Sequence, residues 1–379
     1  MNLELNETQK LIQETARQFA ADRVAPGAEG RDDREEFPTA LVKELAELGF
    51  MGMMVPEEWG GAGLDTVSYV LAMEEISRAD ASLGVIMSVN NSLVCYGINK
   101  YGSTDQKERY LKDLASGKKL GAFALSEPEA GSDASNQRTG AEKDGDTYIL
   151  NGTKNWITNG STADVVLVMA ATDRSKGAKG ISTFIVERGT SGFTVAKKER
   201  KLGIRSSDTV SLSFQDCRVS EANRVGPEGE GFRFAMSTLE GGRIGIAAQA
   251  LGIAQAALEA SVRYAKERKA FDHPIADFQG IQFKLAEMAT EIDAARLLTF
   301  KAAWLKDAGL PFGKEAAMAK LFASRVAVQS ALEAIQIHGG YGYVREYHVE
   351  RYLRDAKVTE IYEGTSEIQR VVIARSLLK

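Results

Sequence analysis

The hydrophobic repeat of this chain changes period twice, and each change limits what the polypeptide can fold into. In residues 1–119 apolar side chains recur at helical spacing. Leu11-Ile12, Thr15-Ala16 and Phe19-Ala20 form one stripe, and Leu41–Phe50 and Val67–Arg78 continue the pattern. Asn6 with Gln9 reads as an N-terminal capping pair. The stretch Pro56-Glu-Glu-Trp59-Gly60-Gly61-Ala-Gly63 is a turn-rich loop between these helices. From about Gly121 to Val219 the period falls to two, the mark of half-buried strands. Asp144-Gly145 and Asn151-Gly152 lie between such runs and read as hairpin turns. From about Phe232 the helical period returns, in Gly242–Ala260, Gln279–Asp307, Lys314–His338 and Ser366–Leu378. The pattern predicts an α+β multidomain chain. Residues 1–119 form an all-α domain, 120–230 a middle antiparallel β-barrel or sandwich domain, and 231–379 a C-terminal four-helix bundle.

Charge and cysteine usage then narrow the partners. The 379 residues carry a formal charge of −5, which argues against nucleic acid, since phosphate neutralisation needs a basic surface. Cys95 and Cys217 stand alone, and His273, His338 and His348 are scattered, so no metal centre is expected. Unpaired cysteines suit a reducing, cytoplasmic setting. The polar N-terminus does not read as a targeting segment. The longest unbroken run of apolar side chains is Val165–Ala171, far short of the roughly 20 residues that span a bilayer, so no membrane span is expected.

The common nucleotide and hydrolase motifs are missing. Gly61-Ala-Gly63 and Gly340-Tyr-Gly342 lack the third glycine of a dinucleotide fingerprint, and neither a P-loop nor a nucleophile elbow occurs. Three segments still ask for a reading. Leu125-Ser126-Glu127-Pro128-Glu129-Ala130-Gly131-Ser132-Asp133 leaves a strand; it is either an ordinary loop or a cradle for a flat polar ring or a phosphate. In Lys154-Asn155-Trp156-Ile157-Thr158-Asn159-Gly160, a Trp and a Thr two apart share one strand face. They offer an aromatic wall and a hydroxyl, or simply a Trp packed in a β core. In Thr359–Arg370, Ser366 with Gln369 reads as a capping box, which puts Glu363 on the loop before the last helix. A carboxylate there is either a surface Glu or, placed over an apolar pocket, a general base for a carbon acid.

Together these segments resemble the acyl-CoA dehydrogenase family. Lys201-Leu-Gly-Ile-Arg205-Ser-Ser, Arg268-Lys-Ala-Phe271, Gln279-Gly-Ile-Gln282, Gln336-Ile-His-Gly-Gly340 and Ile361–Arg370 extend the likeness over essentially the whole chain. The resemblance implies FAD held between the β domain and the bundle of a homotetramer. It implies flavin contacts at Leu125, Ser126, Ser132, Trp156, Ile157 and Thr158, with Thr158 donating to flavin N5. Arg268, Phe271 and Gln279 would serve the pyrophosphate and adenosine across a subunit interface, joined by Gln336, Gly339, Gly340, Thr365 and Glu367. Glu363 would be the catalytic base. Ser132, Glu240, Arg243, Gly364 and Arg375 would line the acyl-CoA site.

The activity so implied is α,β-dehydrogenation of an acyl-CoA to the trans-2-enoyl-CoA, in fatty-acid β-oxidation, with electrons passed to electron-transferring flavoprotein. Some relatives carry the base at the place matching Gly242, which has no carboxylate here. Glu129 and Glu240 depart from the Gly and Asp usual in the family. Leu83–Leu93 and Leu239–Leu251 most resemble the short-chain, butyryl-CoA branch. The alternatives are a medium- or branched-chain acyl-CoA dehydrogenase, an acyl-CoA oxidase, or a non-catalytic flavin- or CoA-binding homologue.

Overall fold

The computed structural model describes residues 4–378. Residues 1–3 of the polar N-terminus, and Lys379 at the end of the expected bundle, lie outside the described residues. The N-terminal part is helical: α1 (Glu7–Phe19), α2 (Ala28–Arg34), α3 (Thr39–Glu47), α4 (Thr66–Ala79), α5 (Ala81–Ser88), α6 (Tyr96–Tyr101), α7 (Thr104–Gln106) and α8 (Lys112–Ala115). Asn6 caps α1 with a full capping box to Gln9, as its spacing predicted. Between α5 and α6, Val89–Cys95 winds as a π-helical segment that is buried throughout.

Eight strands follow: β1 (Gly121–Ala124), β2 (Gly140–Asp144), β3 (Thr147–Thr158), β4 (Val165–Ala171), β5 (Ile181–Glu187), β6 (Phe193–Lys198), β7 (Thr209–Ser220) and β8 (Arg224–Val225). They form one sheet in the order β6-β7-β3-β2-β4-β5-β8, with β1 also on β4. The expected antiparallel barrel needs two corrections. β1 and β2 both run parallel to β4, so the sheet is mixed. No pairing joins β6 to β8, so it does not close into a barrel. The seven apolar residues of β4 explain its central place. Val166, Val168 and Ala170 face the core inside the sheet, while Val165, Leu167 and Met169 face the core shared with the helices. Asp144-Gly145 is the turn of the β2–β3 hairpin. Asn151-Gly152 is not a turn. It forms a bulge within β3, with Gly152 at φ 151°, where a Cβ would stand 2.5 Å from Thr139 Oγ1.

The C-terminal part has α9 (Gly231–Glu267), α10 (Gln279–Asp307), α11 (Gly313–His338), α12 (Val349–Thr359) and α13 (Ser366–Leu377). This is five helices where four were expected. α12 was missed although Val349, Tyr352, Leu353 and Ala356 keep helical spacing: Arg351 and Asp355 read as solvent-facing charges, and both are buried. Two helical runs, 81–101 and 231–267, are long and apolar enough to cross a membrane. Both are covered within the fold instead, 94% and 78% buried over their apolar windows.

Candidate active site

Glu363 lies between α12 and α13, and the chain there is bent by two consecutive left-handed residues, Glu363 at φ 52° and Gly364 at φ 91°. For a Glu this backbone is strained by about 1–3 kcal/mol, so neighbours must hold it. They do. The Gly364 carbonyl accepts from Lys320 Nζ at 2.6 Å and from Gln369 Nε2 at 2.7 Å. Thr365, not Ser366, caps α13, its hydroxyl accepting from Ile368 N at 3.3 Å. The bend aims the Glu363 side chain at α9. A Cβ on Gly242 would overlap Glu363 Oε2 and stand 2.9 Å from Leu93 Cδ2. Glycine at 242 is what lets the carboxylate lie against the helix.

Part of Glu363 stays open, but Oε2 is buried and has no hydrogen-bond partner. Burial pushes its carboxyl up to about 7, against the pull of Lys320 first and Arg243 second. Arg243 is itself buried, its Nε has no partner, and it enters no ion pair among the described residues. Burial lowers its guanidinium, with Glu240 and Glu363 opposing. A buried carboxylate oxygen and a buried guanidinium nitrogen, both unpartnered, leave polar capacity open for a ligand.

A second group forms on the β domain. The Ser126 carbonyl accepts from Asn155 N at 2.9 Å, tying the loop after β1 to β3. The register slips between Lys154 and Ile157, and Trp156 takes φ 63°. Lys154 and Ile157 therefore point into the core, whereas Trp156 is 62% exposed and Thr158 half-buried. Trp156 is not packed in the β core; it is a free aromatic face. Ile157 can offer only its backbone to that face, because its side chain is buried. Leu125 is also buried, its carbonyl accepting from Lys154 Nζ at 3.0 Å. Ser132 is exposed in the same loop, and a Cβ on neighbouring Gly131 would meet nothing within 4 Å.

A third group is gathered where α9 and α11 end and α10 begins. Arg268 lies over the Tyr341 ring at 5.6 Å, and Phe271, 88% exposed, meets Phe278 edge-on at 6.2 Å. Gln279, Gln336, Gly339 and Gly340 are exposed beside them, and Cβ atoms on the two glycines would meet open space. Nothing in this chain's own packing explains the exposure of so many large side chains. Glu367 and Arg375 lie exposed on α13 and Glu240 half-buried on α9, and no contact in the structure joins Arg375 to the Glu363 group.

Residues 6–118, 122–217 and 229–378 match the N-terminal, middle and C-terminal domains of acyl-CoA dehydrogenase. The chain belongs to the acyl-CoA dehydrogenase family. It is 55% identical to the mitochondrial short-chain specific acyl-CoA dehydrogenase of Mus musculus, over 100% of this chain and 92% of that one. It is 49% identical to the butyryl-CoA dehydrogenase of Megasphaera elsdenii, with a TM-score of 0.99 and 100% of both chains covered. A chain from the work on the electron transferring flavoprotein of Acidaminococcus fermentans is 50% identical, with the same TM-score of 0.99 and 100% of both chains covered.

In this acyl-CoA dehydrogenase, two buried lysines stand behind the motifs, and sequence reading gave neither a role. Lys154 Nζ is fully enclosed and donates to Glu127 Oε1 at 2.7 Å and Gln137 Oε1 at 3.0 Å. Glu127 also accepts from Arg138 N at 2.6 Å and Thr139 N at 3.1 Å. Lys320 was legible as an anomaly, a cation on the buried small-residue stripe Ala316, Ala317, Ala319, Ala323 and Ala327 of α11.

Proposed function

We propose that this chain oxidises a short-chain acyl-CoA to the trans-2-enoyl-CoA, with Glu363 as the base. The coarser reading, an FAD-dependent acyl-CoA dehydrogenase acting in fatty-acid metabolism, rests on the family. The observation that carries the finer one is the Glu363 carboxylate, buried at Oε2, unpartnered, and laid against Gly242. A thioester carbonyl acidifies the neighbouring C–H, and a carboxylate whose pKa is near 7 is a better base for it than a surface one. Glu363 takes the α-proton onto an oxygen that no protein donor occupies. FAD, when bound, supplies the acceptor for the hydride that leaves the β-carbon. Charge growing on the thioester oxygen needs donors aimed at it. The Glu363 backbone N–H is the chain's own candidate.

Exposed Trp156 and half-buried Thr158, with Ser126 and Ser132 alongside, fit a flat aromatic ring. Arg268, Phe271, Gln279, Gln336, Gly339 and Gly340 fit the polar end of the same cofactor, reached from a partner subunit of a homotetramer. Thr365 and Glu367 complete the cofactor contacts. Ser132, Glu240, Arg243, Gly364 and Arg375 are assigned to the acyl-CoA. A short acyl chain is supported by the similarity to a short-chain specific acyl-CoA dehydrogenase and a butyryl-CoA dehydrogenase. Electron-transferring flavoprotein is the proposed electron acceptor, supported by the similar chain from work on such a protein. A cytoplasmic location is proposed on two buried free thiols, Cys95 and Cys217.

The test is anaerobic bleaching of the oxidised flavin by butyryl-, isobutyryl-, octanoyl- and palmitoyl-CoA. Butyryl-CoA is expected to bleach fastest, and a faster longer or branched ester corrects the substrate. Glu363→Gln is expected to retain flavin and ligand while turnover falls by about 10²–10⁴-fold, the usual weight of a general base. Normal turnover in that variant defeats the assignment.

A further inference from the structure

Lys320 is fully buried on α11, and among the described residues the only hydrogen bond its ammonium makes goes to the Gly364 carbonyl. Gln369 Nε2 already donates to that carbonyl and, at 3.3 Å, to the Glu363 carbonyl. The loop therefore has a second tie besides the lysine. A buried ammonium is costly, and a Gln, Met or Leu would fill the same space without that cost. What Lys320 adds is a positive charge beside Glu363, foremost among the charges acting on that carboxyl.

We infer that Lys320 is a positioning residue for the base, holding the Glu363 carboxylate over Gly242 by its charge and by its bond to the next residue's carbonyl. The inference rests on Glu363 being the base. The groups facing Glu363 are few. Lys320 comes from α11, Arg243 from α9, Tyr69 from α4 and Tyr362 from its own segment. Glu360 and Glu367 favour the charged form of Lys320, and Arg243 opposes it. Tyr69 and Tyr362 are both pushed up by burial, so they stay neutral. Lys320 and Arg243 are thus the two cations that oppose neutralisation of the carboxylate. Burial also pulls the Lys320 ammonium down to about 8, close to the value near 7 of its neighbour. The acidic limb of the pH–rate profile then belongs to the pair rather than to either group.

The experiment compares the pH dependence of flavin bleaching by butyryl-CoA in the parent holoenzyme, Lys320→Met and Lys320→Arg. FAD content and thermal midpoint are measured alongside. Lys320→Met is expected to keep FAD, to bleach about fivefold more slowly at pH 7, and to move the midpoint of the acidic limb upward by about one pH unit. Its rate near pH 9 should approach the parent's. Lys320→Arg keeps the charge and should keep the parent's midpoint. A purely structural lysine would slow Lys320→Met equally at every pH and leave the midpoint unmoved, which overturns the inference. If the Met variant does not fold, Lys320→Gln decides, since it can still donate to the Gly364 carbonyl but carries no charge: a midpoint moved upward supports the inference, and one at the parent's value overturns it. Glu363→Gln separates the two levels. Normal turnover there removes the base itself, whereas an inactive Glu363→Gln with an unmoved Lys320→Met limb removes only the role of Lys320.

Discussion

At the scale of single residues, the site is a set of close approaches that glycine permits and charge organises. Gly242→Ala places a methyl where Glu363 Oε2 lies, with Leu93 behind it. The variant should fold and hold FAD, yet lose about 10²-fold in turnover, because a displacement of about 1 Å in a reacting group costs that much. Steady-state rates against flavin content check it. Glu363 also has a stability consequence whose sign is fixed. Its carboxyl is raised to about 7 in the folded protein, above the value of about 4.3 in an unfolded chain. The neutral form favours folding, so its contribution is whole below about pH 4 and fades as pH rises through 7. Glu363→Gln should therefore melt higher than the parent at pH 8 and alongside it at pH 4, as thermal unfolding at the two pH values will show. The position of Glu363 was legible in the sequence through the helix start that follows it. Its burial was not, because that depends on α9 and α11, which join it only in three dimensions.

Strand β3 shows how one element can carry a site by breaking its own alternation. A regular strand would put Lys154, Trp156 and Thr158 on one side. The slip between Lys154 and Ile157 instead sends the lysine inward and leaves the other two outside. Inside, burial pulls the Lys154 ammonium down to about 8 against Glu127. Burial opposes the ionised form of Glu127 as well, but Lys154 and the Thr139 and Arg138 donors outweigh it and hold that carboxyl below its ordinary value. The pair, with Gln137 and the Leu125 carbonyl, locks the loop bearing Ser126 to the strand bearing Trp156. Lys154→Met strands Glu127 in the core. We expect a loss of about 3–5 kcal/mol, as for other broken buried pairs, and weaker retention of FAD. Urea unfolding and flavin content after gel filtration measure both. Period two announced β3, and its motif drew notice to Trp156 and Thr158. The bulge was invisible because Asn151-Gly152 has a turn's composition. In the fold Asn151 bonds Asp216 across the sheet, accepting from its N–H at 2.8 Å.

At the scale of the whole molecule, one buried ionic group joins the three parts. Asp355 on α12 accepts from Ile204 N at 2.5 Å, in the loop between β6 and β7. Arg354 pairs with Asp32 of α2 at 2.8 Å, and Arg31 pairs with Asp80 at 2.9 Å. Burial pushes the Asp355 carboxyl up to about 7, with Arg351 opposing. Gly203 has no room for a Cβ against the Arg354 carbonyl, so loop and helix are fitted backbone to backbone. Asp355→Ala leaves the Ile204 N–H without its acceptor and Arg351 without its nearest carboxylate. The loss should be about 3 kcal/mol, seen as a lower urea midpoint. A second transition by near-ultraviolet signal would mean that the β domain unfolds separately. The order of helical, strand and helical parts was readable from periodicity alone. The parallel pairings and this junction were not, since both depend on which distant residues meet.

The two membrane-length helical runs have a consequence for how the chain is made. Residues 231–267 leave the ribosome before α10 and α11, the helices that cover much of them. Until those arrive, the nascent chain displays an apolar helix face with nothing packed on it. A chain stopped at residue 312 would keep α9 without the α11 that packs on it. The arrival of α11 therefore sets when the apolar face of α9 is covered.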